Sequence, residues 1–254
     1  MQILFFKAVI TPLLLVAASL VVRRWGETVG GLLLGLPLTS GPISIFLTLD
    51  HGAAFATQAT AGSLAATVAQ VVFSVAYCRL AYKGWGISLV SACAAFIGVA
   101  AILQYCRMSN GLLFFLVIVG VMVALKIIPS KAGRTNSLPL PWWDLPLRAV
   151  IIASLVVCVT LYAGQLGPAM SGVLASIPFM AIIITVFAHR MSGDVAVTQL
   201  LKSMVKGLLG FGTFFYVLSA TLTRWEPVLS YGTAIACLIV TQALTLFLQH
   251  SSAD

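Results

Sequence analysis

Apolar residues fall in nine long runs, at about 3–22, 27–49, 54–82, 87–106, 111–128, 146–165, 168–188, 195–222 and 226–248. Roughly 20 mostly apolar residues carry a helix across the hydrocarbon core of a bilayer, so each run reads as a spanning helix. The polar breaks are short: Arg23-Arg24, Asp50-His51-Gly52, Lys83-Gly84, Arg107-Met108-Ser109-Asn110, His189-Arg190 and Arg224-Trp225. Breaks of that length join neighbouring antiparallel helices. The connection from Pro129 to Pro146 is longer and holds Lys131, Arg134, Trp142, Trp143 and Asp144 among further prolines. Proline interrupts helices and tryptophan prefers the headgroup level, so this stretch reads as an interfacial linker.

Composition fixes the solvent. Of 254 residues, 61% are hydrophobic and 8% charged, with a mean hydropathy of +1.10. Soluble domains carry about 25% charged residues, and a soluble fold of this composition would have an apolar surface. The expected fold is therefore all-α, a polytopic transmembrane helical bundle of about nine spans. A soluble enzyme, a nucleic-acid reader and a disulfide-stapled secreted module are excluded. Cys78, Cys93, Cys106, Cys158 and Cys237 are scattered singly, without a metal or redox framework. The net charge of +8 fits basic side chains facing anionic lipid.

The same charges set an orientation. Alternating sides put Arg23, Arg24, Arg79, Lys83, Lys126, Lys131, Arg134, Arg148 and Arg190 on one face, and Lys7, Arg107 and Arg224 on the other. By the positive-inside rule the first face is cytoplasmic, with the N-terminus outside and the C-terminus in the cytoplasm. The first run has its paired arginines after it, the reverse of a signal peptide, and is expected to stay in the mature chain.

A gapless self-match runs at an offset of 141 residues. Lys7-Ala8-Val9-Ile10 aligns with Arg148-Ala149-Val150-Ile151, and the register continues through Gly31/Gly172, Pro37/Pro178, Gly52/Gly193, Thr57/Thr198, Gln58/Gln199 and Lys83/Arg224. Matches of Gly, Pro, Thr-Gln and basic residues in one register point to a duplication of a four-helix unit, over 5–106 and 146–247. Five spans precede the second copy, so it enters the membrane from the opposite side. The expected organisation is a first four-helix repeat in 1–110, an inverting helix and linker in 111–145, and a second repeat in 146–254. Inverted repeats are a common plan for secondary transporters.

Candidate site residues follow from the second helix of each copy. Gly35-Leu36-Pro37-Leu38-Thr39-Ser40-Gly41-Pro42 and Ser176-Ile177-Pro178-Phe179 interrupt these helices at matching positions. Proline frees a carbonyl four residues back, and in lipid freed groups need protein or a water-lined cavity. Pro37 and Pro178, with the hydroxyls of Thr39, Ser40, Ser44 and Thr185, are the expected substrate-binding positions, although a packing kink produces the same pattern. Lys202 and Lys206 share one face of the eighth span and could hold a carboxylate or phosphate; snorkelling to cytoplasmic headgroups is the alternative. Their aligned partners are Ala61 and Ala65. Catalytic motifs, metal-ligand spacing and cofactor fingerprints are missing from the sequence, and no carboxylate lies mid-span.

The stretch from Leu147-Arg148-Ala149-Val150 through Gly172 and Pro178 to Ala181-Ile182-Ile183 resembles the small GlpM-like inner-membrane proteins, four-helix chains with a basic residue near the start and a G-x(5)-P step in the second helix. The resemblance implies a fused pair of such units with an added helix, and a link to exopolysaccharide production. The opposed halves also resemble the drug/metabolite transporter superfamily in topology. The expected function is a transporter or flippase of a bacterial-type inner membrane, moving a small anionic or lipid-linked substrate by alternating access. It would need no cofactor and bind no nucleic acid. Its partners would be membrane lipids, the substrate and a second copy in a homodimer. The alternative is a non-transporting scaffold or accessory subunit of an envelope assembly.

Overall fold

The run at 54–82 is the richest in small residues, and it forms the centre of the molecule. The structure, a computed structural model, describes residues 36–129 and 161–251 together with positions 150, 154 and 157–159. The first span, the start of the second, half of the sixth and the 130–146 linker lie outside the described residues, as do the self-matches before residue 36. Within them the chain is helical, without strands. The helices are α1 (Ser40–His51), α2 (Ala53–Leu80, followed by a 3-10 turn to Lys83), α3 (Trp85–Cys106), α4 (Asn110–Ile127), α5 (Pro168–Ala175), α6 (Phe179–Thr221) and α7 (Pro227–Ser251).

Among the described residues, five helices are long and apolar enough to cross a membrane: Ala53–Lys83, Trp85–Cys106, Asn110–Ile127, Ala181–Thr221 and Pro227–Phe247. α2 contacts α1, α3, α4, α5 and α6, and its middle is buried all round, from Ala59 through Gly62, Ala65, Ala66 and Ala69 to Phe73. Small side chains permit this, since helices in lipid associate through close packing and hydrogen bonds and not by escape from water. The peripheral helices expose Val90, Ile97, Phe115, Met122, Ile239 and Val240, as lipid-facing surfaces do.

Gly52 and Gly193, aligned in the self-match, adopt the same backbone conformation: φ 85°, ψ 165° and φ 80°, ψ −170°. Only glycine enters this region without strain. Gly52 separates α1 from α2, and Gly193 breaks α6 into two legs. The first leg continues the direction of α5 along α2: Ala169 meets Gly62, Ser176 meets Gln70 and His189 meets Tyr77. The second leg returns along α4, with Lys202 at Ile128, Gly212 at Val117 and Tyr216 stacked on Phe114. The division between the runs at 168–188 and 195–222 is thus a reversal of direction at Gly193.

α4 also gives the relative sense of the aligned helices. Asn110, at its start, donates to Thr60 near the start of α2, and Gly120 faces Val71, so α2 and α4 run parallel. The second leg of α6 runs antiparallel to α4. Segments 53–80 and 194–221, matched in sequence, therefore point in opposite directions.

Candidate functional site

The breaks at Pro37 and Pro178 both lie outside regular helix. Leu36–Thr39 precedes α1, where Leu38 N–H donates to the Leu36 carbonyl (2.8 Å) and Gly41 N–H to the Pro37 carbonyl (2.8 Å). Thr39 is the residue before α1, without a side-chain capping bond, and Pro42 fits in the first turn where its missing N–H costs nothing. In the second copy, Ser176-Ile177-Pro178 separates α5 from α6. Ser176 N–H turns back to the Val173 carbonyl at 3.0 Å.

The carbonyls around that second break find side-chain donors on neighbouring helices. Ser63 Oγ donates to the Gly172 carbonyl (3.2 Å), Gln70 Nε2 to Ser176 (2.7 Å) and Gln104 Nε2 to Ala169 (3.3 Å). The backbones themselves cross closely. A Cβ added to Gly62 would overlap the Ala169 carbonyl, and one added to Gly172 would overlap the Ala59 carbonyl.

Beyond the breaks, aligned positions carry hydroxyls with different surroundings. Ser44 is buried and its Oγ lies 2.9 Å from the Tyr231 hydroxyl, which is 2.8 Å from Thr48 Oγ1. Thr48 donates to the Ser44 carbonyl at 3.0 Å. With that proton committed, Thr48 accepts from Tyr231, and Tyr231 accepts from Ser44, so Tyr231 and Thr48 each donate once and accept once while Ser44 donates. The partner of Ser44 in the self-match, Thr185, is fully buried, and Ser40 is likewise buried; neither hydroxyl has a hydrogen-bond partner among the described residues. Thr48 aligns with His189, whose Nδ1 lies 3.1 Å from the Tyr77 hydroxyl, the rings meeting edge-on. Both positions thus receive a tyrosine hydroxyl from the other half of the chain.

Lys202 Nζ donates to the Ile128 carbonyl at 3.1 Å, placing an ammonium at the negative end of the α4 dipole. Lys206, one turn further, is half-buried and, among the described residues, has no hydrogen-bond or ion-pair partner. The hydrogen bonds of the predicted positions lead to different neighbours. Ser44 belongs with Tyr231, Lys202 with the end of α4, and Thr185 with the first leg of α6.

A cavity of about 500 Å³ lies at the opposite end of α4, between α2, α3 and the start of α5. Gln58, Gln104 and Arg107 supply its polar lining, while Leu103, Met108 and Leu113 are among its apolar walls. None of the eight predicted residues lines it. The sequence signals for it were the Thr-Gln pair retained at 57–58 and the isolated Arg107; neither says that α5 closes the third wall. The chain matches no family model, no curated protein and no solved structure.

Proposed function

We propose that the chain is a transporter or flippase, built from two inverted four-helix repeats around the helix at 111–128, that moves a small anionic or lipid-linked substrate by alternating access. The reading is carried by one observation: helices matched in sequence, α2 and the second leg of α6, pack on α4 in opposite senses. An inverted duplication requires that relationship. The shared glycine hinges at 52 and 193 and the matched breaks at 37 and 178 support it. In this reading the membrane is a bacterial-type inner membrane, with the N-terminus outside and the C-terminus cytoplasmic, and the two units are related to the GlpM-like proteins. Lys206, half-buried and without a partner among the described residues, is the anion-holding group.

A scaffold is the second reading. Ser63, Gln70 and Gln104 already occupy carbonyls around the second break, as a packing kink would require. The two readings separate in a thermal-stability screen of the purified protein against anionic metabolites and lipid phosphates. A ligand at about 100 times its Kd raises stability by about 2.7 kcal/mol. The transporter reading expects a hit that Lys206→Ala abolishes; a hit retained in Lys206→Ala, or none across the screen, moves the assignment to the scaffold.

A further inference from the structure

The cavity beside Arg107 combines features that select one ligand chemistry. Among the described residues that line it, the one charged side chain is Arg107 and none is Asp or Glu. Arg107 follows the last turn of α3 in left-handed backbone (φ 44°, ψ 49°). Its backbone N–H donates to the Gln104 carbonyl at 3.4 Å, closing the end of α3. Gln104 in turn holds the Ala169 carbonyl, and Gln58 adds a second amide from α2. The first turn of α5 begins at Pro168 on the cavity wall, so its unpaired amides add positive potential there. Leu103, Met108 and Leu113 add apolar lining. A guanidinium fork with two amides suits an oxyanion, and the apolar walls suit a hydrocarbon tail. A volume of about 500 Å³ falls in the range of small-molecule sites.

We propose that this cavity is a binding site for an amphiphilic oxyanion, a carboxylate or phosphate carrying an apolar chain, held by Arg107, Gln58 and Gln104. The α2 wall adds a relation to the rest of the chain. Gln58, Ala61 and Ala65 line the cavity, and 141 residues on stand Gln199, Lys202 and Lys206. Each copy thus sets a glutamine and a cation at opposite ends of the bundle, the cation coming from α3 in one and from α6 in the other. That this cavity is the outer counterpart of the lysines rests on the duplication proposed above; binding at Arg107 does not.

The test uses the full chain in neutral detergent, with octanoate as a soluble probe and isothermal calorimetry as the readout. Octanoate is expected to bind wild type and Lys206→Ala alike, and at least tenfold more weakly to Arg107→Gln and to Ala61→Phe, which fills the cavity. A lipid headgroup as the natural source would appear instead as co-purified phosphatidylglycerol, seen by native mass spectrometry and lost in both cavity variants. If neither octanoate nor phosphatidylglycerol binding depends on Arg107 and Ala61, the proposal is overturned. If octanoate binding is lost in Lys206→Ala but kept in Arg107→Gln, this site falls while the Lys206 reading survives.

Discussion

Gly62 and Gly172 oppose each other where α2 crosses α5, and a Cβ on either would overlap a backbone carbonyl of the other helix. The crossing brings the interrupted helix against the small-residue centre of α2, close enough for Ser63 to reach the Gly172 carbonyl. The overlap is with backbone, which has no rotamer to change, so relief requires one helix to move.

Gly172→Ala is therefore expected to destabilise the protein by at least the ~1–3 kcal/mol typical of overpacking, with Gly62→Ala similar. Gly86 is the control: it is partly exposed on α3 with open space around an added Cβ, and alanine there should be neutral or stabilising by about 0.5–1 kcal/mol. Thermal unfolding of the three variants in one detergent checks the order. Equal midpoints for Gly172→Ala and Gly86→Ala would remove the close crossing.

Gln70 reaches the Ser176 carbonyl at 2.7 Å from a buried position. Gln70→Leu keeps the volume and removes the donor, leaving the carbonyl unmet at a cost of about 1–3 kcal/mol. Gln70→Glu is expected to be worse, because an ionised carboxylate would face the carbonyl oxygen. Thermal melts of both variants report the cost, and a wild-type midpoint for Gln70→Leu would show that the carbonyl has another donor.

Lys202 and Lys206 should respond differently to replacement by methionine. Lys202→Met loses the bond to the Ile128 carbonyl and, because the side chain is partly exposed, is expected to lower stability by only about 1 kcal/mol. Lys206→Met should leave stability unchanged or raise it, since no bond among the described residues is lost. Chemical unfolding of each variant measures the split; a larger loss at Lys206 would reverse the assigned roles.

The helices and their breaks were legible in the sequence because hydropathy in a bilayer is a strong signal and Gly/Pro positions disrupt it locally. Gly52 and Pro178 stood out for that reason and the structure has backbone breaks at both, whereas the break read at His189-Arg190 falls at Gly193. The partners of the breaks were not legible. Ser44 and Tyr231 are 187 residues apart, and Gln70 and Ser176 are 106 apart, distances over which a single sequence carries no pairing information. Thr48 illustrates the same limit: it matches His189 in the self-match, yet the tyrosines that meet them, Tyr231 and Tyr77, come from helices that the self-match does not align. Arg107 was readable as one of three external basic residues, whereas the cavity around it exists only once α5 is packed against α2.

The inverted arrangement is tested most directly at His51 and Ser192, aligned in the self-match, adjacent to the two glycine hinges and both exposed. Each is replaced by cysteine in a background lacking the five native cysteines, and intact cells are treated with a membrane-impermeant thiol reagent. The account predicts that cysteine 51 is labelled from outside and cysteine 192 only after permeabilisation. Labelling of both from the same side would contradict it.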